Sequence, residues 1–262
     1  MENRKKLKIT YAAATHPGNI RSKNQDSYYI DGFVSSEEKS FVDGESDRNW
    51  FTAAVFDGVG GLDYGAEASH RASVFLAERD GPEIGAGCVD FARETNRLIC
   101  EASDASDGEM GTTLAMITVM QDQITICNVG DSRIYRFRNG HLKQLSKDHT
   151  QLQHMIDEDL LDMKEKPEAA AALRHKLTQY LGVPESNFLI SPFVDENADV
   201  QPGDIYILCS DGITDMADDD MLEDVLNRTK QQEPEEIVLQ IMAAASIAGG
   251  EDNITVTVVK MD

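Results

Sequence analysis

Residues 112–145 read TTLAMITVMQDQITICNVGDSRIYRFRNGHLKQL. Apolar and β-branched residues fill this stretch in runs of strand length, which predicts strands over Thr112–Met120, Ile124–Val129, Arg133–Arg138 and His141–Leu145. Asn139-Gly140 between the last two is a hairpin signal, because both central positions of a type I′ turn need positive φ. Strands joined by such short turns pair antiparallel. Asp131 then falls in the turn Gly130-Asp-Ser-Arg133, between two strands expected to pair with each other.

Upstream, Leu7–Thr15 and Tyr28–Ile30 have strand character, and the polar, acidic stretch Ser35–Asn49 reads as a loop. Trp50-Phe-Thr-Ala-Ala-Val-Phe56 is an apolar strand stopped by Asp57 and the glycines at 58, 60 and 61. Apolar positions then recur at helical spacing over Gly65–Arg79 and Val89–Ala102. Downstream, residues 150–173 carry short polar helical segments around Pro167. Strands are expected over Phe188–Val194 and Ile205–Cys209, helices over Asp218–Asn227 and Glu235–Ala248, and a closing strand over Asn253–Lys260. This order predicts an α+β fold, an antiparallel sandwich covered by helices and not an alternating βαβ fold.

A chain of 262 residues with 41% hydrophobic content suffices for one large core, so a single domain spanning 1–262 is expected. The net charge of -23 argues against nucleic acid or an anionic membrane surface as a partner. No apolar signal region follows the basic residues 1–8, and nowhere do about 18 apolar residues run together. Cys88, Cys100, Cys127 and Cys209 show no C-x-x-C spacing. A cytoplasmic chain with reduced cysteines is expected.

The informative carboxylates stand at strand ends beside glycine. Asp57 precedes Gly58, Asp211 follows Ile205–Ser210 and precedes Gly212, Asp252 follows Gly249-Gly250, and Asp131 follows Gly130. Any one of these is more often a turn aspartate that caps local backbone. Four at equivalent positions suggest a cluster, and crowded carboxylates imply cations between them. All-oxygen ligands select Mn2+ or Mg2+ over zinc, and the six histidines offer no H-E-x-x-H spacing. Two such cations would lower the pKa of a bridging water, which could attack phosphorus in line without a covalent intermediate. Arg21, in the turn Gly18–Asp26, is placed in sequence to grip phosphate oxygens.

Eight segments, in order, resemble the motifs of the PPM family, the metal-dependent protein Ser/Thr phosphatases of type 2C. They are Arg21–Ser27 (R-x-x-N-E-D-S), Val55–Gly61 (V-x-D-G-M-G-G), Gly111–Thr113 (G-T-T), Val129–Tyr135 (V-G-D-S-R-x-Y), Leu145–His149 (L-T-x-D-H), Leu177–Gly182 (L-T-R-A-L-G), Cys209–Gly212 and Glu251–Thr255. The resemblance implies a four-layer α/β/β/α sandwich, two central antiparallel sheets flanked by helices. It implies that Asp57 bridges two core metals, with the Gly58 carbonyl on the second and Asp211 and Asp252 completing the first. Asp131, helped by Asp211, would hold a third, weaker metal; Arg21 would bind phosphate, with Asp26 and Asn253 in support. Residues of about 150–176 correspond to the family's flap.

This chain departs from the family pattern in three places. Gln25 replaces a glutamate, Val59 stands where many eukaryotic members carry a histidine proposed as general acid, and Gln179-Tyr180 replaces Arg-Ala beside the flap. A bacterial-type, monomeric enzyme acting on phosphoproteins made by a partner Ser/Thr kinase is expected. The rival within the fold is a pseudophosphatase-like binding or regulatory module, against which the four retained aspartates weigh. A dinucleotide site fails on spacing, since its third glycine position holds Asp63.

Overall fold

The computed structural model describes residues 8–35, 38–59, 64–106, 108–121, 123–160 and 167–262. Gly60, Gly61, residues 161–166 of the expected flap and the basic residues 1–7 lie outside this set. The strands are β1 (Ile9–His16), β2 (Ser27–Ile30), β3 (Phe33–Val34), β4 (Ser40–Ser46), β5 (Trp50–Phe56), β6 (Leu114–Met120), β7 (Gln123–Val129), β8 (Arg133–Arg138), β9 (His141–Gln144), β10 (Phe193–Asp199), β11 (Ile205–Cys209) and β12 (Ile254–Met261). The helices are α1 (Gly65–Arg79), α2 (Cys88–Ala105), α3 (Gln151–Asp157), α4 (Pro167–Leu173), α5 (Asp211–Thr214), α6 (Asp219–Thr229) and α7 (Pro234–Ile247).

Among the described residues the strands form two six-stranded antiparallel sheets, in the orders β4-β1-β12-β11-β8-β9 and β10-β7-β6-β5-β2-β3. Alternation along each central strand splits its side chains between two cores. Phe51, Ala53 and Val55 of β5 join Tyr206, Leu208 and Val259 of the other sheet, while Ala54 and Phe56 join Ala68, Ala72 and Leu76 of α1. On the opposite face, Ile254, Val256 and Val258 of β12 share a core with Ile237, Val238 and Ile241 of α7. Burial on both faces is why these strands read as unbroken apolar runs. The result is four layers, with helices outside two sheets. Truncating Ile117 or Ile126 in the central core to Ala would cost about 2–5 kcal/mol.

The Asn139-Gly140 turn has φ of 54° and 88° and joins β8 to β9. Three expectations are corrected. First, β7 and β8 do not pair: they lie in different sheets, so Gly130-Asp131-Ser132 crosses from one sheet to the other. His149 holds the crossing, its Nδ1 accepting from the Gly130 N–H at 3.1 Å and its own N–H donating to the Gly130 carbonyl at 2.9 Å. Second, Ser35–Asn49 is not all loop. Ser40–Ser46 pairs with β1 as an edge strand, and its alternating half-buried and exposed residues explain its polar composition. Third, the strand expected from Phe188 begins only at Phe193, after Pro192, and Ile190 instead plugs the core beneath α1 and α2.

Candidate active site

Strand register brings the chemistry to one end of the sandwich. His16, Ile254, Cys209 and Arg133 end their strands side by side in one sheet, as Ser27, Phe56, Leu114 and Val129 do in the other. The segments beyond them converge on a cleft of about 350 Å³. Its lining includes Arg21, Gln25, Asp57, Gly58, Val59, Asp131, His175, Asp211, Asp215 and Asp252. Asp26 lies beneath it, buried.

Asp57 is fixed through its backbone. Its N–H donates to Thr113 Oγ1 at 3.0 Å, and its carbonyl accepts from the Thr113 N–H and the Thr112 hydroxyl, both at 2.8 Å. The Thr113 and Ser132 hydroxyls also bond at 2.7 Å, tying Asp57 to the crossing that carries Asp131. At Gly58 a Cβ would meet the Gln25 carbonyl and the Gly65 backbone at 2.6 Å, so glycine is what lets the chain pass between them.

Asn253 organises the arginine turn. Its Oδ1 accepts from the Gln25 N–H at 2.8 Å, and its Nδ2 donates to the carbonyls of Pro17 at 3.1 Å and Lys23 at 2.8 Å. Arg21, inside that turn, reaches across to pair with Asp252. Asp26 anchors the strand ends from below: its Oδ2 accepts from Ser210 Oγ at 2.8 Å and Thr255 Oγ1 at 2.6 Å.

Electrostatics follow from this crowding. Burial, then the charges of Asp26, Asp211, Asp131 and Asp252, push the Asp57 carboxyl well above the ordinary range. Burial and then Asp131, Asp215 and Asp252 do the same to Asp211. Asp131 is raised to about 7 by burial and then Asp148. Asp26 is raised to about 6, burial outweighing its hydrogen bonds from Thr255 and Ser210. Four carboxyls that resist ionising together form a site whose charged state calls for cations, and the buried Asp26 Oδ1 has no partner among the described residues. The oxygen-rich lining fits hard divalent ions.

Two cleft residues were not singled out in the sequence. Asp215 follows Asp211 by one helical turn, its N–H donating to the Asp211 carbonyl at 2.8 Å, so the pattern Asp-Gly-x-x-Asp was the available signal. His175 Nδ1 lies 3.5 Å from Asp215 Oδ2. His175, Asp211 and Asp215 each offer a donor atom within 4.8 Å of the others.

Comparison with known proteins accords with this arrangement. Residues 18–153 match the family model for protein phosphatase 2C, and residues 164–262 match that for stage II sporulation protein E. The serine/threonine phosphatase stp of Listeria monocytogenes is 30% identical over 95% of this chain and 94% of its own length. The serine/threonine protein phosphatase PstP of Mycobacterium tuberculosis is also 30% identical, over 96% of this chain, but the chain spans only 45% of that relative's length. The structure of the PstP catalytic domain in complex with two manganese ions superposes with a TM-score of 0.75 at 27% identity, covering 97% of this chain and 99% of that one. The fold is therefore that of a serine/threonine protein phosphatase domain. The chain belongs to the protein phosphatase 2C family. No helix among the described residues is long and apolar enough to cross a membrane.

Proposed function

We propose that this chain hydrolyses phosphoserine or phosphothreonine on proteins with two core divalent cations held by Asp57, Gly58, Asp211 and Asp252, and a third, weaker one held by Asp131 and Asp211. Manganese, which the related PstP domain holds, or magnesium suits the oxygen donors. When bound, such ions supply positive charge to the phosphate oxygens and acidify a water toward neutral pH.

The protein's own residues do the positioning. Arg21 grips phosphate oxygens, and Asn253 keeps its turn in place. Thr112 and Thr113 lock the Asp57 backbone, so its carboxylate stays aimed. Among the described residues no cysteine lines the cleft, and the Thr113 hydroxyl is engaged by Asp57 and Ser132. This supports in-line attack by water with departure of the seryl or threonyl oxygen and no covalent intermediate. With Val59 in the cleft, the leaving oxygen takes its proton from water or another residue.

The observation that carries the reading is the convergence of Asp57, Asp131, Asp211 and Asp252 with Arg21 on one cleft. A pseudophosphatase module would not be expected to keep all four acids. The substrates would be products of a Ser/Thr kinase, and a monomeric, single-domain, cytoplasmic enzyme belongs to the same reading. Hydrolysis of p-nitrophenyl phosphate with and without Mn2+ tests it: activity should require the metal, and activity that survives a chelator would overturn it.

A further inference from the structure

Ile247 and Ile20 are the most exposed large apolar side chains among the described residues, at 87% and 72% of their full surface. They belong to different elements, the last residue of α7 and the turn after β1, yet their neighbours are clamped together. Asn19 Nδ2 donates to the carbonyls of Ser246 and Gly249, both at 2.9 Å, and the Asn19 N–H donates to the Gly250 carbonyl at 2.8 Å. The Ser246 hydroxyl bonds back to Asn19 Oδ1 at 3.2 Å. The residue after Ile20 is Arg21, which lines the cleft; from Ile247 the chain runs through Gly249 and Gly250 to Asp252, which pairs with Arg21. The two clamped segments that carry the bared isoleucines therefore run directly into Arg21 and Asp252 at the cleft.

The fold gains nothing from apolar side chains at these places. One exposed isoleucine is ordinary, but two on segments clamped together at the rim of a polar cleft have the character of a binding surface. The occupant follows from continuity with the cleft. A phosphorylated side chain bound there brings its own backbone to the rim, and flanking residues, about 3.3 Å apart in an extended chain, run outward from it over the surrounding surface. The cleft lining is mostly polar, with Val59 and Leu177 as its apolar members, so an apolar flanking side chain is better accommodated outside it. The geometry points to Ile20 and Ile247 as a subsite for an apolar side chain that flanks the phosphoserine or phosphothreonine of the substrate, a selectivity that rests on the phosphatase reading above.

The test uses matched phosphothreonine peptides that carry Leu or Ser at each position flanking the phosphoresidue. They are assayed on the full chain with Mn2+, and each rate is referenced to p-nitrophenyl phosphate turnover of the same preparation. The wild type should prefer a Leu peptide by about 3- to 10-fold in kcat/KM, on the order of one partly buried apolar side chain. The double variant Ile20→Ser, Ile247→Ser should bring the ratio close to one, and Ile20→Val with Ile247→Val should restore most of it. No preference at any flanking position in the wild type, or a preference undiminished in the double Ser variant, overturns the subsite while hydrolysis itself leaves the parent reading standing. Failure to hydrolyse both p-nitrophenyl phosphate and peptides would overturn both.

Discussion

Arg21 Nη2 lies 2.6 Å from Asp252 Oδ2, so the candidate phosphate grip and a candidate cation ligand are in direct contact. A bound phosphate would draw the guanidinium onto its own oxygens. Arg21→Ala should lower kcat/KM for p-nitrophenyl phosphate by about 10- to 100-fold, since a charge-assisted hydrogen bond contributes roughly 1.5–3 kcal/mol. Arg21→Lys should fall between, because an ammonium keeps the charge without the planar fork. Steady-state kinetics at saturating Mn2+ check this; a loss under twofold in Arg21→Ala would remove the arginine from the site.

Gly212 is where Asp211 and Asp252 are brought together. A Cβ there would run into the Asn253 carbonyl, which is backbone and cannot swing away. Gly212→Ala should therefore cost about 1–3 kcal/mol of stability and more than tenfold in activity, as both acids shift. Urea denaturation together with the phosphatase assay measures the two effects.

Cation binding and pH should be linked through the cleft. Asp26, raised to about 6, and Asp131, raised to about 7, favour their protonated forms in the fold, as Asp57 and Asp211 do. Their contribution is complete below the ordinary carboxylate pKa and is lost as pH rises through 6 to 7. Metal-free protein should thus lose stability from this cluster between pH 5 and 8, and Mn2+ should raise Tm more at pH 8 than at pH 5.5. Thermal scans with and without Mn2+ at both pH values decide it; equal shifts would speak against carboxylate ligation.

His149 acts in the opposite direction. Burial lowers its pKa to about 4, and its Nδ1 must stay unprotonated to accept from Gly130. A histidine whose pKa falls on folding stabilises fully above its ordinary value near 6.5, and that stability is lost as pH falls toward 4. The loss should approach about 1.4 kcal/mol per pH unit within this window. Comparing urea stability of wild type and His149→Gln from pH 7 to 4.5, both metal-free, isolates this slope, which the variant should lack.

The sequence showed those parts of the fold in which local pattern and burial agree. β5 and β11 are buried, mostly apolar runs followed closely by Asp57-Gly58 and Asp211-Gly212, and β12 opens just after Asp252 with apolar residues at alternate positions, so strands and candidate ligands could be read together. β4 escaped because an edge strand with one solvent-facing side looks like a polar loop. The parting of β7 and β8 was hidden because a turn of three residues signals a hairpin locally, whereas sheet membership is set by His149 and by strands far away in the chain. Asp215 sits just beyond a helix too short to show a period, and His175 reaches the cleft from a segment with no metal-ligand spacing.

Every role assigned to the clustered aspartates depends on cations occupying this cleft. The most direct measurement is an anomalous difference map from crystals of this chain grown in MnCl2. Peaks within ligand distance of Asp57, Asp211 and Asp252 are expected; a map with no manganese among these three carboxylates would contradict it.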